Sequence, residues 1–116
     1  LKPRLSVQVH VSNVTLDYPG DILTFLEGTV NSLRCTTSSS RPQPIIRWWL
    51  DGNEVTNLSS TMVTETNTLF IATSELHLTV EKIQQGKKLY CDAKVDGQVN
   101  ATESTKPAIN VWYAPE

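Results

Sequence analysis

Apolar and polar residues alternate with a period of two over most of this chain, and helical spacing is hard to find. "LSVQVHV" sets Leu5, Val7, Val9 and Val11 on one face, "SELHLTV" does the same for Leu76, Leu78 and Val80, and "KLYCDAKV" for Leu89, Cys91, Ala93 and Val95. Successive side chains of a strand point to opposite faces, so each stretch reads as a half-buried β-strand. Turn residues punctuate them: Pro19-Gly20-Asp21, Glu27-Gly28, the Ser-rich and Pro-rich "SSSRPQP" at 38–44, Asp51-Gly52-Asn53, Gln85-Gly86 and Asp96-Gly97. The pattern predicts strands over 5–12, 21–26, 29–36, 45–51, 60–66, 73–80, 87–95 and 106–113. Short strands with turns at this spacing specify an all-β sandwich.

The stretch "IIRWWLD" at 45–51 tests that reading, because two adjacent tryptophans on a strand cannot enter the same core. Ile46, Trp48 and Leu50 form a wholly apolar set, whereas Ile45, Arg47, Trp49 and Asp51 carry two charges. Trp48 is therefore the core tryptophan and Trp49 points outward.

Composition sets the scale. At 116 residues and 39% hydrophobic, the chain forms one domain, 1–116, with 114–116 within "YAPE" reading as the start of a linker to a following domain. The net charge of −2 and the scattered Lys and Arg give no electrostatic footprint for nucleic acid or an anionic membrane. No apolar run reaches the length of a membrane-spanning helix. The beginning, "LKPRLSVQVH", has neither an initiator Met nor a signal-peptide apolar stretch, and reads as a segment of a longer chain.

Cys35 and Cys91 are the only cysteines. Their separation fits neither a C-x-x-C metal site nor a redox motif, and a single long-range disulfide is the favoured reading, with two free buried thiols as the alternative. Both lie on the apolar parity of their strands, where their sulfurs face each other across a sandwich, and Trp48 can pack beside them. Three N-x-S/T sequons, at Asn13, Asn57 and Asn100, fall on predicted strand ends or loops and are candidate N-glycosylation sites. Together with a disulfide they indicate an extracellular protein.

Cys35, Trp48 and Cys91 at this spacing resemble the immunoglobulin superfamily. More narrowly, "SRPQPIIRWWLDGNEV", "VTETNTLF", "SELHLTV" and "GKKLYCDA" look like the constant-like set that forms the second and inner domains of nectin-like and nephrin-like adhesion receptors. The likeness runs from about Gly28 to Pro115. Leu89 stands two residues before the second Cys, where variable domains carry a tyrosine, and this argues against an antigen-receptor variable domain. The resemblance implies an extracellular, cell-surface module of a multidomain adhesion or recognition receptor. Such a module acts by protein–protein binding, with neighbouring immunoglobulin domains, with receptor or ligand ectodomains or with its own kind, or it acts as a spacer. The alternative is a domain of a secreted immune-recognition protein.

Catalytic chemistry finds no support in the residues. His10 and His77 sit on polar parity with no carboxylate or Cys at ligand spacing, Asp51 and Asp96 serve turns, and no Gly-rich phosphate loop occurs. The chain is read as a non-enzyme without metal or cofactor. "SSSRPQP" is read as a soluble connection rather than a binding loop. The remaining candidate is an interface. Trp49, Tyr90 and Trp112 all point outward on three neighbouring strands, and the expectation is that their rings lie side by side at the pole where the chain leaves.

Overall fold

The computed structural model describes residues 7–18 and 22–112. Among these residues ten strands build two main layers. The first sheet has the order β1 (Val14–Asp17), β3 (Val30–Thr37), β7 (Leu69–Thr79) and β6 (Ser59–Thr66). The second runs β5 (Asn53–Glu54), β4 (Ile45–Leu50), β8 (Leu89–Lys94) and β9 (Thr102–Glu103), and β10 (Ile109–Trp112) pairs in parallel with β2 (Leu23–Leu26). This is the all-β sandwich that the alternation implied, with the immunoglobulin-like arrangement that the resemblance implied.

Between the layers lie Leu33 and Cys35 of β3, Ala72, Leu76 and Leu78 of β7, Ile46 and Trp48 of β4, and Leu89, Cys91 and Ala93 of β8. Cys35 and Cys91 form a disulfide with their Cα atoms 6.5 Å apart. Trp48 stands directly opposite Cys91 in the β4–β8 register and is fully buried. Its indole N–H donates to the Ser74 hydroxyl at 2.9 Å, so the one polar atom of the ring is satisfied by the opposite sheet.

Four boundaries differ from the alternation pattern, each for a physical reason. Over 5–12 the described residues form no strand beyond a single bridge between Val9 and Arg41. Val11 instead gives its backbone to side chains: its N–H donates to Gln98 Oε1 at 3.0 Å, and its carbonyl accepts from Gln98 Nε2 at 3.3 Å and from the Thr102 hydroxyl at 2.6 Å. Val7 is solvent-exposed, and Leu5 lies outside the described residues. The first strand is β1, whose "VTLD" alternation buries Val14 and Leu16.

The other three differences concern where strands begin, end and pair. β7 begins at Leu69, four residues before the predicted 73, because a two-residue turn folds it tightly onto β6. Asn67 and Thr68 both take positive φ, 53° and 63°, the geometry that matches hairpin twist. Threonine is an unusual occupant of that position, so the turn carries no obvious sequence signal. β4 ends in a second such turn at Asp51-Gly52, which adds the short β5. The last predicted strand, 106–113, begins later, as β10 at Ile109, and pairs with β2, while a short strand outside the predicted set, β9, takes the place beside β8. Residues 114–116 and Tyr113 lie outside the described residues.

Residues 7–11 and 112 lie at opposite poles of the sandwich. Arg41 holds the first segment, donating to the carbonyls of Val7 and Thr68 at 3.0 and 2.9 Å and also bonding the Thr68 hydroxyl. The far pole is closed where Glu27 N–H donates to the Trp112 carbonyl at 2.8 Å and Gly28 N–H to the Val80 carbonyl at 3.2 Å.

Candidate functional site

The outer face of the second sheet carries its most organised polar and aromatic chemistry. Outward parity on β4 presents Ile45, Arg47 and Trp49, and the antiparallel register sets them opposite Lys94, Asp92 and Tyr90 of β8. Trp49 and Tyr90 stack with centroids 6.5 Å apart and planes inclined by 20°. The Asp92 carboxylate accepts from Trp49 Nε1 at 3.1 Å and from Arg47 Nε and Nη2, each at 3.3 Å. Although Asp92 lies on the outer face it is buried, because Arg47 and Trp49 close over it. A carboxylate in such a place persists because its lone pairs are taken by donors, one of them charged.

Cations flank the stacked pair. The Arg47 guanidinium carbon lies 5.2 Å from the Trp49 ring centroid, and Lys106 Nζ lies 4.5 Å from that of Tyr90. Lys106 is in turn bound to Glu103 at 3.0 Å. That bond to Glu103 raises the Lys106 pKa above its ordinary value, and the charge of Glu103 adds to the effect. The result is a row made of Arg47 and Trp49 on β4, Tyr90 on β8 and Lys106 in the connection from β9 to β10, each engaged by a hydrogen bond, ion pair or ring contact within the domain. Trp, Tyr and Arg are enriched in protein contacts, and side chains already fixed lose little entropy on binding.

Trp112 is not part of this row. Parity places it outward as expected, and it is 57% exposed, but β10 sets it opposite Leu26 of β2. The bridge from Lys88 to Ala108 shows why: Trp112 lies four residues beyond Ala108, past the start of β8, and so cannot share the level of Tyr90. Lys106 takes the third place. It has the same parity as Trp112, but parity alone does not give the level along a strand.

The sequon asparagines are all exposed. Asn13 precedes β1, Asn57 lies in the 3-10 turn Thr56–Leu58 and Asn100 in the connection from β8 to β9. His10 and His77 are exposed, as predicted, but His77 does have a carboxylate neighbour: Glu75 lies 3.3 Å away, since alternate residues of a strand share a face. Ser40 of "SSSRPQP" is buried and Arg41 is occupied with Val7 and Thr68, so this loop ties the fold together. Among the described residues no group of three His, Cys, Asp or Glu is placed to hold a metal ion, and no helix is long and apolar enough to cross a membrane.

Residues 19–100 match the family model of the CD80-like C2-set immunoglobulin domain. Nephrin of Mus musculus is 30% identical over 117 residues, a match covering 94% of this chain and 9% of that protein. Nephrin of Rattus norvegicus is 32% identical over 82 residues, covering 71% of this chain and 6% of that one. The chain thus spans less than a tenth of the length of these curated relatives. Among solved structures, the crystal structure of Rst D1-D2 superposes with a TM-score of 0.80 at 22% identity, over 92% of this chain and 52% of the other. The full ectodomain (Ig1–Ig3) of mouse nectin-like molecule 4 does so with a TM-score of 0.76 at 21% identity, over 93% and 36%. At such identities these two structures speak for the fold.

Proposed function

The chain belongs to the CD80-like C2-set immunoglobulin domains, and from that premise we propose that it works as one module of a multidomain adhesion or recognition receptor, making protein–protein contacts through the Arg47–Trp49–Tyr90–Lys106 row. The domain is an extracellular, cell-surface one of the nephrin and nectin-like kind. The observation that carries the contact role is the stacked Trp49–Tyr90 pair, held by Asp92 and flanked by two cations on the outer face of the second sheet.

A receptor array also needs each module to set reach and angle. Residues 7–11 at one pole and Trp112 at the other suit a domain threaded in series, and Trp112 with Leu26 forms an apolar ledge for a following domain. Glycans on Asn13, Asn57 and Asn100 leave the aromatic row free, because none of the three lies on β4 or β8.

Beads coated with the chain, alone or mixed with beads carrying the mouse nephrin ectodomain, test the contact role. Clustering that Trp49→Ala abolishes in a folded domain supports it. Clustering that survives Trp49→Ala and Tyr90→Ala, with only the melting temperature lowered, reduces the row to a stabiliser of the sheet.

A further inference from the structure

β6 is an open edge. The order β1-β3-β7-β6 leaves one side of Ser59–Thr66 without a strand among the described residues, and every residue from Ser60 to Thr66 is exposed. Other outer strands are shorter: four residues in β1 and two each in β5 and β9. Sheets protect long edges with prolines, lysines or bulges. β6 has none of these: "SSTMVTET" contains one charge, Glu65, and pairs with β7 without interruption from Ser59↔Leu76 to Thr66↔Leu69.

The hairpin dictates which backbone groups face outward. The two-residue turn at Asn67 and Thr68 makes Thr66 and Leu69 a hydrogen-bonded pair, and bonded pairs alternate from there. Ser60, Met62, Thr64 and Thr66 therefore give their backbone groups to β7, whereas Thr61, Val63 and Glu65 send theirs to the open side. The N–H of Ser59 agrees with this alternation, since it bonds the Thr56 carbonyl rather than β7.

We infer that β6 is a strand-addition edge on which a second copy of this chain docks antiparallel, fusing the two four-stranded sheets about a two-fold axis. Bonding between the outward-facing groups sets Thr61 opposite Val63 of the second copy, Ser60 opposite Thr64 and Ser59 opposite Glu65. Met62, 71% exposed, then meets Met62 of the second copy on the axis, at a closely spaced non-hydrogen-bonded position. This register opposes no two charges. A two-fold contact is matched by its own symmetry, whereas a foreign strand would have to supply a complementary pattern. The edge belongs to the first sheet and is independent of the Trp49–Tyr90 face.

Sedimentation equilibrium of the 116-residue chain, with any N-glycans enzymatically removed, tests the edge. The expected result is a monomer–dimer equilibrium that Met62→Lys weakens at least about tenfold, by opposing like charges on the axis, and that Ile83→Ser, at an exposed position outside both β6 and the aromatic row, leaves unchanged. Met62→Cys should oxidise to a covalent dimer, and Ser60→Cys should not, because Ser60 faces Thr64. A monomer at every concentration overturns the inference, as does a dimer indifferent to Met62→Lys or equal cross-linking by both cysteine variants. Circular dichroism confirms that each variant is folded.

Discussion

Trp48 on β4 and Ser74 on β7 are joined across the core by a 2.9 Å hydrogen bond, the indole N–H donating to the hydroxyl. Ser74 also accepts from the Thr61 hydroxyl at 3.0 Å, so one buried oxygen ties three strands, β4, β6 and β7, together. Ser74→Ala leaves the buried indole donor without a partner and is expected to cost about 1–3 kcal/mol in denaturant unfolding. In a cycle with Trp48→Phe the two losses should not add, because the second change removes the donor that the first stranded.

The disulfide beside Trp48 closes a long loop. In the chain-entropy description, replacing both Cys35 and Cys91 by serine costs about 4 kcal/mol, a large share of the stability of a domain this size. Urea denaturation should show a strongly lowered midpoint. An unchanged midpoint contradicts the structural role given to the bridge.

Gln98 acts as a stand-in for a strand, bonding both backbone groups of Val11 as well as the Val95 N–H and the Asn100 carbonyl. Gln98→Ala should release residues 7–11 locally. Amide exchange at Val11 is expected to accelerate well before that of β7, with a global loss of about 1–3 kcal/mol.

Asp92 holds the aromatic row in place. Asp92→Ala frees Arg47 and Trp49 at once, and a loss of about 1–2 kcal/mol is expected, moderated because Arg47 keeps contact with water. The near-ultraviolet circular dichroism of the Trp49–Tyr90 pair should weaken in parallel. A spectrum identical to wild type would show that the stack does not depend on the carboxylate.

Expression through a eukaryotic secretory pathway should add N-linked glycans at Asn13, Asn57 and Asn100, all on exposed segments. Intact mass before and after glycosidase treatment reads the occupancy. Single Asn→Gln changes should each remove one glycan.

Much of the fold was legible in the order of residues because a strand's period of two is a local property. It sent Trp48 inward and Trp49 outward, set Cys35 and Cys91 on core-facing parity, and kept Leu89 buried with Tyr90 outside. None of these assignments needs knowledge of a neighbour beyond the strand itself. The family likeness rests on the same residues, Cys35, Trp48 and Cys91, and all three fall within the matched 19–100.

What only the tertiary structure decided is which side chains share a level. Trp112 has the predicted outward parity, yet its height on the sandwich depends on the register past Ala108 and on β10 leaving β8 for β2, so Lys106 rather than Trp112 stands beside Tyr90. The first segment has strand-like alternation, but Gln98 and Thr102, 87 and 91 residues away, took the backbone groups that a strand partner would have used. Parity is set by bond geometry within a few residues. Register and partnership are set by contacts between residues far apart in the chain, and those exist only once the two sheets have closed on their core.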